Sequence, residues 1–428
     1  MSNLEDYANI AVPETEGPRF KWLYLTNVEV GVAICVPVFM FGAALGHDLS
    51  AKNLILSLLA SGFLLSLIAG WSSFIGVKTR LSTPLLVKKA FGEKGAPFVW
   101  FVLGLSLFGW FGVQTEICST VFLTLMNRLD PTLSLNKTLV TFLAGLLMST
   151  TAILGIKGVG KLAQLSMPLL LGVMFYALGS ALSEKGLSAW LTYTPQTAMP
   201  IGTAIAAIVG GYSVGAIVMP DIKRFAIDKT HSIVAAILAL GVFYPLLLIL
   251  TALTAVLMQQ PDFMILLINL GLGPLALLIL MLATWTTNDM NLYSASLNLT
   301  PLFPKLSREV LTAISGVLGS IIATFGLFEH MVPLFMLLGV LTTPVLAIYS
   351  AAYLIEPTEQ LSPSINKRAF FIWIFASALG LASTPTDQWG LGLVTLTTVP
   401  GLDSLLASLL LCGIAAKSSF GKASRRAA

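Results

Sequence analysis

Apolar runs of membrane-spanning length follow one another along almost the entire chain. A helix needs about 20 apolar residues to cross the hydrocarbon of a bilayer. Twelve stretches reach or approach that length: 27–46, 53–76, 97–126, 138–156, 161–183, 201–220, 232–258, 274–298, 309–328, 331–355, 368–384 and 394–416. With 56% of residues hydrophobic and 10% charged, no soluble domain is possible, since those carry roughly 25% charged residues. The expectation is an all-α polytopic membrane protein with 12 transmembrane helices, embedded in a lipid bilayer. Residues 1–26 and 417–428 read as tails. The run Phe263 to Leu270 is too short to span and is expected in the interface before 274–298. The first 22 residues, with Glu5, Asp6, Glu14 and Glu16, lack the basic start and apolar core of a cleaved leader. The first span is therefore expected to serve as the targeting signal.

Lys and Arg concentrate in the cytoplasmic loops of membrane proteins. With both termini inside, 20 of the 24 Lys and Arg fall in inner segments, and only Lys52, Arg128, Lys137 and Lys185 fall in outer ones. This asymmetry predicts an even number of spans near twelve and cytoplasmic termini. The net charge of +4 is spread through short loops, so it offers no nucleic-acid surface, and no obligatory protein partner is evident. Cys35, Cys118 and Cys412 lie in apolar stretches, an odd count without ligand spacing, so neither a disulfide framework nor a metal site is expected. His47, His231 and His330 are scattered over span ends. No Walker loop, nucleophile elbow or zinc-binding pair is present.

The spans divide into two sets of five of near-equal length, 27–183 and 201–355, followed by a pair, 368–416. Five is odd, so the second set runs inverted relative to the first. The first span of each set carries helix-interrupting residues: Gly31 and Pro37 in one, Gly210-Gly211 and Gly215 in the other. Interrupted apolar segments at matching places in two halves point to a transporter's midplane site. Both first spans are accordingly expected to be broken in the middle, although Gly and Pro are also common in unbroken membrane helices.

Polarity within the spans is confined to a few places. After the apolar run Leu275 to Leu282 comes Ala283-Thr284-Trp285-Thr286-Thr287-Asn288-Asp289-Met290-Asn291-Leu292-Tyr293. An Asp at the bilayer centre costs about 2.5–3.5 kcal/mol on insertion scales, so this cluster reads as a ligand site facing a cavity or a neighbouring helix. Ala283, Thr286 and Thr287 share one helix face. Two hydroxyls plus carbonyls freed in a broken first span would form an all-oxygen cage suited to a hard cation such as sodium. The same threonines equally suit bonds back to their own helix. Asn288 and Asn291 add amides nearby.

In 97–126, Trp110 and Gln114 lie four apart and share a face. An indole can stack on a planar ring while an amide both donates and accepts hydrogen bonds, which suits a flat heterocycle. A packing Trp beside an interhelical Gln fits the spacing as well. In 201–220, the tract Gly210-Gly211-Tyr212-Ser213 lets a ligand approach the backbone, and Tyr212 can close the second face of a stacked ring. The same tract also fits a close helix crossing. Glu29, Glu116 and Asp289 are the acidic residues within spans, and each suits a proton relay, an ion pair or a solvated helix end. Asp221, Lys223 and Arg224 read as inner-loop charges.

The tract Gly76-Val77-Lys78-Thr79-Arg80-Leu81-Ser82-Thr83-Pro84-Leu85-Leu86, with Phe91-Gly92-Glu93-Lys94-Gly95, resembles the inner-loop signature of the nucleobase–cation symporter-1 family. So do Trp110-Phe111-Gly112-Val113-Gln114 and Trp285-Thr286-Thr287-Asn288-Asp289. The bacterial cytosine permeases are the branch it most resembles. The resemblance implies a leucine-transporter-like fold, two inverted five-helix repeats plus two extra helices, in an inner membrane. It implies a substrate site of Trp110, Gln114, Gly211, Tyr212, Ser213 and Asn288. For sodium-driven members it implies cation ligands at Thr286 and Thr287, with carbonyls of Gly31, Ile34 and Ala283. The chain departs from the cytosine permeases at Leu107, Tyr212 and Ala283, where they tend to carry Gln, Phe and Asn.

These readings converge on a secondary active transporter that imports a nucleobase or a related small heterocycle. It is expected to co-transport sodium, with a proton as the alternative, and to need no bound cofactor. Hydantoin, allantoin or a vitamin-type pyrimidine is the alternative substrate. A channel would need continuous polar faces along a pore, and an enzyme a clustered acid–base or metal set. Neither pattern is in the sequence.

Overall fold

The computed structural model describes residues 10–13, 19–154, 156–260, 262–270, 272–300, 302–303, 305–355 and 364–426. The side chains of 154, 156–167, 290, 293, 297, 308, 355 and 417–426 lie outside the description. Much of the tail 1–26, Met290 and Tyr293 of the polar cluster, and the basic side chains of Lys157, Lys161, Arg308 and the C-terminal tail are thereby outside it.

The regular secondary structure of the described residues is helical, apart from one isolated bridge between Phe20 and Ala226. The first apolar stretch forms two helices, α1 (Trp22–Ala33) and α2 (Val36–Asp48), bent by 69°. The break falls at Ile34-Cys35, between the two residues expected to cause it. Pro37 occupies the first turn of α2, where its missing N–H costs nothing, and Cys35 is extended (φ −139°). Next come α3 (Ala51–Thr79), α4 (Thr83–Phe91), α5 (Ala96–Leu129), α6 (Lys137–Leu154) and α7 (Ile156–Leu191), which turns at Gly186 (φ 70°). The second half holds α8 (Ile201–Ile217), the single turn α9 (Pro220–Lys223), α10 (Lys229–Ala236), α11 (Tyr244–Leu257), α12 (Phe263–Asn269), α13 (Gly273–Leu299), α14 (Arg308–Ala323) and α15 (Met331–Ile355). The last two helices are α16 (Lys367–Ser383) and α17 (Pro400–Arg426).

Five helical stretches among the described residues are long and apolar enough to cross a membrane: Ala51–Thr79, Ala96–Leu129, Ile201–Lys223, Lys229–Leu257 and Met331–Leu354. The bent pair α1 and α2 makes a sixth. Between α10 and α11 a π-helical stretch, Ile237–Phe243, widens the helix. Pro245 cannot donate the next regular backbone bond, and Gly241 lies against Gly62 and Ser66 of α3, so close that a Cβ there would strike the Ser66 hydroxyl.

Several expected boundaries move. α7 covers 156–191 where 161–183 was expected, because hydropathy marks only the lipid-matched part of a helix. α17 starts at Pro400 instead of 394; the β-branched run before it is not helical, and Pro400 opens the helix. It continues to Arg426, through most of what reads as a tail. The short α12 buries Phe263, Met264, Leu266 and Leu267.

Packing pairs α13 with α5, α15 with α8 and α17, α2 with α11, α14 with α6, and α3 with α8. At one end of α3, Arg80 donates to the carbonyls of Arg224 and Ala226 (2.7 and 2.8 Å) and its own carbonyl accepts the Val12 N–H (3.0 Å). Phe20 exchanges backbone bonds there with Phe225 and Ile227 (2.9 and 3.1 Å). Near the other end, the Tyr193 hydroxyl donates to the His47 carbonyl (2.8 Å) and the Met199 N–H to that of Asp48 (3.0 Å). Asp228 caps α10 at the His231 N–H (2.8 Å), and bonds from the His231 backbone and ring hold its carboxyl below the ordinary carboxylate range.

Candidate functional site

Gln114 lies on the buried face of α5 with no exposed surface, and neither Oε1 nor Nε2 has a hydrogen-bond partner. A buried polar group left unpaired costs about 1–3 kcal/mol. One helical turn away, Trp110 is half-buried and stacks on Phe335 of α15, with ring centroids 4.9 Å apart and planes 28° apart. Phe335 also meets Phe41 of α2 edge-on at 5.4 Å. This one ring therefore joins α2, α5 and α15, and α8 packs against it too. Sequence reasoning missed Phe335, since a phenylalanine in an apolar helix carries no signal of its own.

The expected break in the sixth span is not at its glycines. α8 runs unbroken through Gly210 and Gly211 and ends only at Ile217, ahead of α9. The glycines allow close packing instead. A Cβ on Gly210 would strike the Phe335 carbonyl, and one on Gly211 would come within 2.9 Å of the Phe335 ring. Tyr212 packs on Tyr244 (4.8 Å, 56°) and directs its hydroxyl toward the Glu29 carbonyl at 3.4 Å. The ring stacked on Trp110 is thus Phe335. Ser213 is fully buried, donates to the Gly210 carbonyl (2.8 Å) and accepts from Thr342 of α15 (3.1 Å).

On α13, Asn288 is fully buried against α5 and α6. Its nitrogen donates to the Phe111 carbonyl (3.2 Å) and the Thr115 hydroxyl (2.9 Å) and faces the Met148 sulfur (3.3 Å), while Oδ1 has no partner. Thr286 and Thr287 both donate to the Ala283 carbonyl, at 3.1 and 3.0 Å. At the α1–α2 break, Ile34 donates to Val30, Cys35 to Ala33 and Val38 to Cys35. The regular bonds that the Gly31 and Ile34 carbonyls would accept are therefore not made. α13 touches α2 only slightly and packs mainly on α5 and α7.

The acidic residues each have partners. Asp289 accepts from Thr151 (2.8 Å), whose oxygen accepts from the Trp285 indole (2.8 Å). Glu116, 2% exposed, pairs with Lys137 at 3.1 Å and accepts the Phe328 N–H at 2.9 Å, tying α5 and α6 to the segment before α15. Glu29, 6% exposed, lies 3.6 Å from the fully buried Lys223. Lys223 also reaches the Leu25 carbonyl at 3.5 Å. The reading of Asp221, Lys223 and Arg224 as loop charges is corrected here. Lys223 and Arg224 are buried, and Asp221 accepts the Thr83 N–H (2.7 Å). Their apolar surroundings come from α1 and α3, which are remote in sequence and invisible in a local reading.

A family model described as a permease for cytosine/purines, uracil, thiamine and allantoin matches residues 11–405. The cytosine permease of Escherichia coli (strain K12) is 27% identical over 404 residues, covering 94% of this chain and 93% of that protein. Among solved structures, inward-facing Mhp1 superposes with a TM-score of 0.79 at 18% identity, over 97% of this chain and 95% of that one. Mhp1 in a closed conformation with bromovinylhydantoin bound gives 0.72 at 19%, over 96% and 95%. A substrate-bound, outward-open Na+-coupled sialic acid symporter gives 0.61 at 12%, over 93% and 90%. The helical fold is therefore that of Mhp1, and the curated relatives are permeases, not enzymes. A chain matched by the family model over nearly its whole length, with the buried unpaired amide of Gln114 between apolar helices, belongs to the nucleobase–cation symporter-1 family, the permeases for cytosine/purines, uracil, thiamine and allantoin.

Proposed function

We propose that this permease imports a nucleobase, cytosine or a related pyrimidine or purine, by alternating access coupled to sodium. The observation that carries the reading is the Gln114 side chain, buried with both polar atoms unpartnered beside the Trp110 indole. A flat ring with a donor and an acceptor on one edge would pair both atoms while stacking on the indole. Such a ring would take the space now filled by Phe335, so binding would displace one aromatic with another. Asn288 would read a second ring atom, with Gly211, Tyr212 and Ser213 supporting the opposite wall. The relatives support this class of ligand: cytosine is in the name of one and a hydantoin is bound to another.

In this reading twelve spans cross the inner membrane with both termini cytoplasmic. Residues 27–183 and 201–355 form inverted five-helix repeats, 368–416 are two additional helices, and 1–26 and 417–428 are the tails. Sodium would be held by the Thr286 and Thr287 hydroxyls and the carbonyls of Gly31, Ile34 and Ala283, bracing α1 against α13. The ion would favour one conformation and raise substrate affinity, and the substrate would raise ion affinity by the same factor. A thermal-shift screen of the purified protein against a panel of heterocycles, with sodium or potassium, tests this. The expected result is a nucleobase-induced shift that grows with sodium only, and Thr287→Ala should weaken that dependence more than it weakens sodium-free binding.

One observation favours a second reading, a proton-coupled carrier of the same or another small heterocycle such as hydantoin or allantoin. The Ala283 carbonyl already accepts two hydroxyls, which leaves it little capacity for a cation. Uptake that ignores sodium and follows a pH gradient would select this reading.

A further inference from the structure

We infer that the groove where the end of α15 meets the start of α16 binds an anionic phospholipid, its phosphate at Arg368 and an acyl chain along α16. The groove holds about 470 Å³ and is bounded by Ala90 of α4, Ile348 and Ala352 of α15, Arg368 and Ile372 of α16, and Ala415 of α17. Its walls are held at a fixed spacing. The Asn366 side chain donates to the Ala90 carbonyl and the Asn366 N–H to that of Phe91, both at 2.9 Å. A Cβ on Gly92 would strike the Ser364 carbonyl, and Phe370 meets Phe91 edge-on at 5.7 Å. Alanines on three of the walls leave the space that larger side chains would fill.

Charge identifies the occupant. Among the described residues that line the groove, Arg368 is the charged one, and Lys367 precedes it. Both stand in the first turn of α16, which holds no acidic residue, although that end of a helix favours anions. On the facing wall Lys89 precedes Ala90, and the neighbouring Lys88 pairs with Glu93 at 2.8 Å. A guanidinium offers five donors in a fork that matches phosphate oxygens. Arg368, Phe371, Ile372 and Phe375 share one face of α16. Phe371 and Phe375 are exposed and stack on each other at 6.0 Å and 24°. A rise of 1.5 Å per residue puts Phe375 about 10 Å from Arg368 along the axis. A phosphodiester at Arg368 therefore leaves an acyl chain lying on the two rings, a fit that a free phosphate does not use. Basic pockets between membrane helices at the cytoplasmic side bind anionic headgroups, and the orientation proposed above puts this groove on that side.

The test titrates the full-length protein, purified in detergent, with dioleoylphosphatidylglycerol, dioleoylphosphatidylcholine or glycerol 3-phosphate, and reads the bound fraction by native mass spectrometry. Wild type should bind phosphatidylglycerol about tenfold more tightly than phosphatidylcholine and should not retain glycerol 3-phosphate at the same concentrations. Lys367→Gln combined with Arg368→Gln should bring the two lipids within about twofold of each other. Lys78→Gln combined with Lys305→Gln, which removes two basic residues away from the groove, should leave the preference intact. Ala352→Phe keeps every charge but fills the groove, and should weaken phosphatidylglycerol binding about tenfold. If the variant lacking both charges does not fold, Ala352→Phe decides alone. Equal binding of the two lipids by wild type overturns the anionic site. A preference that survives the change made in the groove places the lipid elsewhere and overturns the assignment to Arg368. Glycerol 3-phosphate bound as tightly as the lipid overturns the acyl-chain contact, and with it the lipid as occupant.

Discussion

Gln114 weakens the protein that contains it. Replacing both unpaired atoms with methyl groups removes a penalty of about 1–3 kcal/mol, so Gln114→Leu should raise the melting midpoint of the ligand-free protein. The same change should abolish or severely weaken heterocycle binding. A lower melting midpoint would mean that the amide has a structural partner and is not kept for a ligand. Trp110→Ala should leave folding intact and cost binding about 1–3 kcal/mol, the usual worth of base–aromatic stacking; normal binding in titration calorimetry would remove the indole from the site. Both proposed residues stand out in the sequence, because a Trp and a Gln one turn apart in an apolar helix are conspicuous by type and spacing. Phe335 does not, nor does the role of Lys223. The first has the same chemistry as its neighbours, and the second is paired across a sequence distance no local pattern spans.

Among the elements, the glycine pair of α8 teaches the most. Its position was readable but its use was not, because glycine serves a broken helix and a tight crossing equally well. Here the crossing takes it: α15 lies so close that Gly210→Ala would push a methyl into the Phe335 carbonyl. Overpacking of this kind costs about 1–3 kcal/mol, so Gly210→Ala should lower the melting midpoint. It should also disturb the Trp110–Phe335 stack, which tryptophan fluorescence would report. The α1–α2 break, by contrast, was legible to within a few residues, because proline at the start of a helix leaves little choice. The pair Glu29–Lys223 ties α1 to α9. Lys223→Met alone leaves a buried carboxylate without its cation and should destabilise by about 3–5 kcal/mol. Glu29→Met combined with Lys223→Met should recover most of that loss. If the double variant is as unstable as the single one in chemical denaturation, the two side chains are not coupled.

For the molecule as a whole, the proposed orientation rests on the asymmetry of Lys and Arg between loops. Single cysteines at exposed Lys94 and Lys185 should differ in intact cells: the second should react with an impermeant thiol reagent and the first should not. Equal labelling would overturn the orientation. The arrangement at the Arg80 end of α3 has a consequence for how the chain is made. Residues 12 and 20 are seated by backbone bonds to Arg80, Phe225 and Ile227, and the Leu25 carbonyl meets an ammonium 198 residues later in the chain. At about 5–20 residues per second of synthesis, Phe20 and Leu25 wait roughly ten to forty seconds for Phe225 and Lys223. During that interval Glu29 of α1 is without its cation, Lys223. Slowing translation between codons 30 and 223 should therefore lengthen the time for which the segment around Phe20 and Leu25 stays open to protease.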